Sequence, residues 1–320
     1  MLKRTLATTG LEVTPLCFGG SALGDMPATY GYSVDDERAF ATINAIFDSP
    51  VNFLDSSRIY GFGRSEERIG EVIKARGGLP EGFVLATKLD RDPETNRFDA
   101  DQAKRSLEQS LKALNLDSIP LLHLHDPEHA RSLDEIRDTG GAIDALMRFK
   151  EEGLCQATGL AMGRLDMMLP LAQAFPFDAV LNHNRFTLLN RSATELFDYA
   201  KSAGIAVLNA APYAGGVLAK GASVMPQIAY SPADDEALAG VRNIERICAK
   251  YGIAPGAVAL QFSMRDERID STIIGVSAPS RVTQTLEWAS VEIPAELWAE
   301  IEALEYDTTD PEANREYNPG

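Results

Sequence analysis

The most constraining feature of this chain is a regular alternation. Eight short apolar runs, at 16–20, 51–54, 83–87, 119–124, 156–161, 177–182, 205–210 and 271–275, recur through the sequence. Between and after them lie stretches with apolar residues at three- and four-residue spacing, at 36–47, 66–75, 103–114, 141–151, 166–174, 193–203, 235–251 and 281–288. Short runs of that length read as buried strands, and the spaced stretches as amphipathic helices. Strand–helix alternation implies right-handed βαβ units and a parallel sheet. Eight such units predict a closed (β/α)8 TIM barrel, a parallel eight-stranded barrel with surrounding helices, as one domain over residues 1–320. Asp99 or Asp101 is expected to cap the third helix, with Gly153 and Gly204 ending the fourth and sixth.

Two rival architectures fit less well. An open doubly wound sheet would carry a GxGxxG turn after the first strand, and Gly19-Gly20-Ser21-Ala22-Leu23-Gly24 does not fit it. Two open α/β domains would show a break in composition, and none is visible. No run approaches the ~18 apolar residues of a membrane span, and the first residues lack a signal peptide's apolar stretch, so a cytoplasmic protein is expected. The net charge of −17 (47 acidic against 30 basic residues) repels phosphate backbones and anionic lipids, which excludes nucleic acid and membrane as partners. Cys17, Cys155 and Cys248 lie far apart and are expected to be buried thiols. The polar segment 306–320 is expected to be a mobile end, with a tail folded over the substrate as the alternative.

In a barrel of this kind the active site lies where the strands end. Three titratable residues stand at the ends of consecutive runs, Asp55, Lys88 and His125, and Tyr60 follows in the loop after Asp55. Moving a hydride to or from carbon requires an oxygen to gain or lose a proton. A tyrosine, with an ordinary pKa of about 10, can serve if a nearby ammonium favours its phenolate. Lys88 would be that ammonium and Asp55 its counter-charge. His125 would donate a hydrogen bond to the carbonyl oxygen. Each residue alone has a plainer use as a surface aromatic or a structural ion pair; their order on consecutive strands carries the functional one. The spacing His123-x-His125-x3-His129 admits a metal site, but the chain has only four histidines, and a metal-dependent barrel needs further ligands on later strands. No metal is expected, and His123 is placed in the core.

The segments that carry these residues are Phe53-Leu54-Asp55-Ser56-Ser57-Arg58-Ile59-Tyr60-Gly61, then Ser65-Glu66-Glu67 and Ile69-Gly70, Ala86-Thr87-Lys88, and Leu122-His123-Leu124-His125-Asp126. In type, order and spacing they resemble the aldo-keto reductases, and the likeness runs over about residues 3–305. Within that family it points to aldose 1-dehydrogenases of the L-fucose, D-threo-aldose and L-galactose types and to pyridoxal dehydrogenases. The resemblance implies an oxidoreductase that uses NADP or NAD on a small sugar or aldehyde, with Asp55, Tyr60, Lys88 and His125 as the catalytic set. It implies cofactor contacts from Gly20, Ser21 and Asp55, from His183, from Pro212, Tyr213, Gly216, Val217 and Leu218, and from Gly275, Ser277, Arg281, Gln284 and Thr285. Small residues after the seventh strand would let backbone N–H groups approach the pyrophosphate, and the helix start after the eighth suits an anion. Substrate would meet Tyr60, His125 and Met26, the last in the loop 24–32 with Tyr30 and Tyr32.

The sequence also departs from the family's pattern. Ala161-Met162 stand in place of the usual Ser-Asn, His183 in place of Gln, Ala210 in place of an aromatic, and Gly275 in place of a Lys. Asn182, His183 or Asn184 would supply substitute hydrogen bonds. Arg281 remains for a 2′-phosphate, and NAD and NADP both stay open. A cofactor-binding regulatory subunit built on the same barrel is the alternative; the intact catalytic set and the lack of an N-terminal extension argue against it.

Overall fold

The computed structural model describes residues 1–313. Its centre is a closed barrel of eight strands: β1 (Leu16–Gly19), β2 (Phe53–Asp55), β3 (Val84–Leu89), β4 (Ile119–His125), β5 (Cys155–Ala161), β6 (Ala179–His183), β7 (Ala206–Ala210) and β8 (Ser271–Gly275). All neighbours are parallel, and β8 pairs with both β7 and β1 to close the circle. Each apolar run in the sequence becomes one strand. Around the barrel lie α1 (Asp36–Phe47), α2 (Arg64–Arg76), α3 (Ala100–Leu114), α4 (Ala142–Glu151), α5 (Leu165–Ala174), α6 (Thr194–Ala203), α7 (Ala239–Tyr251), α8 (Pro255–Met264), α9 (Pro279–Ser290) and α10 (Ala295–Glu302). The cap of α3 is Asp99, whose carboxylate accepts from Gln102 N at 3.0 Å. Gly204 ends α6 in the left-handed region, where a glycine carries no Cβ penalty. No helix of the described residues is long and apolar enough to cross a membrane.

Period-two alternation divides the apolar residues into two cores. Cys17, Phe53, Ala86, Leu121, Leu208 and Ile273 fill the barrel, while Phe18, Leu54, Leu85 and Leu122 face the helices and meet Ile43, Ile69 and Leu107. A hairpin of Arg4–Thr5 and Glu12–Val13 brings Leu6, Leu11 and Val13 beneath the inner core. Each such buried side chain contributes about 2 kcal/mol, so the N-terminal segment is a stabilising plug. The inner wall uses small residues where larger groups must fit. A Cβ on Gly159 would stand 2.1 Å from His123 Nδ1. His123 itself is fully buried, and desolvation holds its pKa well below the ordinary value, with the Lys88 charge adding to the effect. It is the neutral core imidazole expected. Cys17, Cys155 and Cys248 are buried and free.

The strand ends face one mouth of the barrel, and two loops are pressed together there. A Cβ on Gly61 (φ 60°) would lie 1.9 Å from Gly24 O, so backbone packs directly on backbone and sets Tyr60 beside the loop after β1. The C-terminal segment differs from expectation. Asp307 forms a parallel bridge with Asn190, Arg191 N donates to Asp307 O at 2.8 Å, and Asn190 Nδ2 donates to Thr309 O at 2.8 Å. Residues 306–313 are therefore docked on the barrel rim; the remainder of the expected mobile end, 314–320, lies outside the described residues.

Candidate active site

Asp55 closes β2, and Lys88 lies near the end of β3. The Lys88 ammonium donates to both Asp55 oxygens, at 2.9 and 2.8 Å, and to Ser56 O at 2.5 Å. Both side chains are buried. Desolvation pushes the Asp55 carboxyl up from its ordinary range, and the Lys88 charge opposes it. The ammonium also sits 4.9 Å from the centroid of the Tyr60 ring. That ring meets His125 edge-on, with centroids 5.8 Å apart at 88°. All four residues named from the sequence thus converge.

Asp90 was not anticipated. It lies just past β3, is buried, and accepts from His125 Nδ1 at 2.6 Å, Ser57 Oγ at 2.6 Å and Ile59 N at 3.0 Å. Desolvation alone would raise its pKa, but His125, Ser57 and the Ile59 amide outweigh it and hold the carboxyl below the ordinary range. An ionised carboxylate only accepts, so the Nδ1 proton faces Asp90. The nitrogen left for a substrate is Nε2. In the neutral ring Nε2 accepts; donation to a carbonyl, as expected from the sequence, needs the second proton. Asp126 Oδ2 lies 3.6 Å from that nitrogen. Among the described residues, no three of histidine, cysteine, aspartate or glutamate converge as a metal site would require.

These residues line one end of a cavity of about 670 Å³, within the range of small-molecule sites. Met26, Tyr30 and Tyr32 line it too, with Tyr30 donating its hydroxyl proton to Ser21 Oγ at 2.8 Å. Ala161, Met162 and Ala210 form an apolar part of the wall. Of the three residues weighed as substitute donors, only His183 lies on the wall. Asn182 instead ties Met162 O and Gly163 O, and Asn184 is buried elsewhere with φ at 59°. His183 is already engaged, its Nδ1 lying 2.9 Å from Glu312 Oε2.

Most of the expected cofactor residues stand on the wall; Gly20, Pro212, Val217 and Leu218 do not. Gly20 spends its backbone on the barrel rim, donating to Asp55 O and accepting from Ser65 Oγ. Pro212 is buried, and Val217 and Leu218 pack into the outer core. Three cations gather on the same wall, two of them over the Tyr32 ring. Arg281 is one, and the sequence had not pointed to Arg38 or Lys220. Arg38 braces Ser277 through its carbonyl at 2.5 Å and its hydroxyl at 3.3 Å. Burial, then the Arg281 charge, lowers the Lys220 pKa. The Tyr213 hydroxyl is buried there with no hydrogen-bond partner among the described residues. Gathered cations and an unpartnered hydroxyl, in a chain of net charge −17, fit a phosphate-bearing dinucleotide.

A parallel closed barrel with its polar groups at the strand ends defines a class of enzyme scaffold, and comparison gives the family. Residues 15–305 match the model of the Aldo/keto reductase family, and the chain belongs to that family of oxidoreductases. It is 31% identical to L-galactose dehydrogenase of Arabidopsis thaliana, over 94% of this chain and 93% of that protein. It is 28% identical to pyridoxal 4-dehydrogenase of Microbacterium luteolum, over 93% and 96% respectively. An aldo-keto reductase from Bacillus halodurans, solved in a holo form, superposes with a TM-score of 0.78 at 21% identity, over 99% of this chain and 100% of its own, and shares the fold.

Proposed function

We propose that the protein is an NAD(P)-dependent dehydrogenase that oxidises an aldose at C1 to the lactone, with Tyr60 as the proton acceptor. The observation that carries this is the meeting of Tyr60, the Lys88–Asp55 pair and His125, braced from behind by Asp90, on the wall of a cavity that Arg38, Lys220 and Arg281 also line. A nicotinamide cofactor bound there supplies the hydride acceptor. Arg38, Lys220 and Arg281 would hold its phosphates, which would leave Tyr60 and His125 to the reacting carbon and oxygen. Tyr60 takes the proton from the anomeric hydroxyl as the C–H bond breaks, and returns it in the reverse direction. Lys88 favours the phenolate form of Tyr60 that can accept this proton, and Asp55 keeps the buried ammonium compensated. His125, oriented by Asp90, holds the reacting oxygen by donating from Nε2 in its doubly protonated form. The likeness to L-galactose dehydrogenase supports an aldose; that to pyridoxal 4-dehydrogenase keeps an aldehyde-bearing ring as the second substrate to try.

The test is a panel of L-galactose, L-fucose, D-arabinose, pyridoxal and simple aldehydes, run with NAD+ and with NADP+ and followed by NAD(P)H absorbance. Turnover of one or more aldoses is expected. Turnover of pyridoxal alone would replace the substrate. Tight cofactor binding with no turnover of any member would favour a non-catalytic cofactor-binding subunit.

A further inference from the structure

Asp126 directly follows β4, and its backbone leaves the strand in the left-handed region, at φ 42° and ψ 51°. Continued alternation would put the residue after His125 on the opposite side, toward the helices. Instead Asp126 lies on the cavity wall, its N–H donating to Ala161 O at 2.8 Å and its Oδ2 3.6 Å from His125 Nε2. It is 7% exposed. Among the described residues it makes no ion pair with any lysine or arginine; its basic neighbours are two imidazoles, the His125 ring and His183, whose pKa the Asp126 charge helps to raise. The next acidic group is another carboxyl. Glu128 accepts from Gly163 N at 2.8 Å and Arg164 N at 3.2 Å, and burial, followed by the Asp126 charge, raises it to about 7. The wall beside the reacting residues therefore carries a hydrogen-bond acceptor that, among the described residues, pairs with no lysine or arginine.

We infer that Asp126 determines specificity, by accepting a hydrogen bond from the substrate hydroxyl next to the carbon that is oxidised. This rests on the aldose reading above. If His125 Nε2 and Tyr60 hold the reacting oxygen, a carboxylate oxygen 3.6 Å from Nε2 is placed for the next oxygen along a polyol. A carboxylate only accepts, so it is satisfied by a hydroxyl and left unpaired by a methylene or a carbonyl at that position. A site built around a hydroxyl rejects the analogue that lacks it far more strongly than an apolar pocket rejects a size change.

The experiment compares kcat/KM for the best aldose of the panel and for its 2-deoxy analogue, in the wild type, Asp126→Asn and Asp126→Ala. Asn tolerates the left-handed backbone while removing the charge, so it remains informative if the alanine variant folds poorly. The wild type should prefer the hydroxylated sugar by at least about tenfold, as expected for a hydrogen bond to a charged group. The preference should narrow in Asp126→Asn and vanish in Asp126→Ala, mainly through loss of kcat/KM on the hydroxylated sugar. A wild type that treats both sugars alike, or variants that keep the full preference, would overturn the role of Asp126 while leaving aldose oxidation standing. A wild type that oxidises no sugar overturns both.

Discussion

Asp55 and Asp90 are buried carboxylates near enough for the Asp90 charge to act on Asp55, and burial penalises the charge of each. In Asp55 that penalty exceeds what Lys88 returns; in Asp90 the contacts from His125, Ser57 and Ile59 exceed it. The difference assigns them different work under the proposed mechanism. Asp55 compensates an ammonium, and Asp90 fixes which way an imidazole faces. Replacing Tyr60 with Phe should lower kcat by at least about a hundredfold while the cofactor Kd, measured by fluorescence titration, is unchanged. Near-normal turnover would remove Tyr60 from the chemistry. Asp90→Asn keeps the shape but presents a donor to Nδ1, which favours the other ring tautomer. We expect kcat to fall by about a hundredfold, with a smaller effect on KM; a variant that loses only substrate affinity would refute the orienting role. Asp55, Lys88 and His125 were legible in the sequence because each closes an apolar run. Asp90 was legible in principle, being two residues beyond Lys88 and so on the same side of the continuing chain. Asp126 was not, because a left-handed residue breaks the period from which its direction would be inferred.

At the scale of elements, the barrel was legible because most strands are buried on both faces and so read as short apolar runs between polar punctuation. The helices α8 and α10 went unread. In α8, residues Gly256–Leu260, Phe262 and Ser263 are all buried, so no polar face marks a helical period. Residue Glu66, in the first turn of α2, shows the opposite tension, a charged type at a core position. It accepts from Thr87 Oγ1 at 2.6 Å and faces Arg58 at 3.4 Å. Burial raises its pKa from 4.5 to about 7, against the hydrogen bond from Thr87. The folded state thus binds the proton more tightly than the unfolded one. The stability from that proton is complete below 4.5 and is lost as pH rises through about 7. Glu66→Gln removes this titration. Between about pH 5.5 and about pH 8 the wild type should lose roughly 2 kcal/mol more than the variant, measured by urea denaturation at both ends. Parallel pH dependences would show that Glu66 does not titrate in that window.

At the scale of the molecule, the docked C-terminal segment joins parts of the chain that no local pattern connects. Its composition is polar and aperiodic, which is why it read as a loose end. What holds it is charge: Arg185, only 2% exposed, pairs with Asp310 at 2.6 Å and with Glu312 at 2.8 Å. Leaving a buried guanidinium without a carboxylate costs about 3–5 kcal/mol, which offsets part of the entropy of ordering residues 306–313, about 1–2 kcal/mol for each. Glu312 also reaches His183 on the cavity wall, so docking and wall are one network. Burial lowers the His183 pKa, but the Glu312 charge and hydrogen bond outweigh it, and the net shift is upward from 6.5. For a histidine raised in this way, the stabilisation is present below 6.5 and is lost as pH climbs through the folded value. Docking should therefore weaken on the alkaline side. Hydrogen exchange of residues 307–313, corrected for intrinsic rates, should accelerate in the wild type between about pH 6 and about pH 9. In Glu312→Gln it should already be at least about tenfold faster at the lower pH, with Asp310 still holding Arg185, and should depend little on pH thereafter. Equal protection in the two proteins would mean that the segment is held by its bonds to the Leu189 and Arg191 backbone and to the Asn190 side chain, and that the His183–Glu312 contact follows docking instead of causing it.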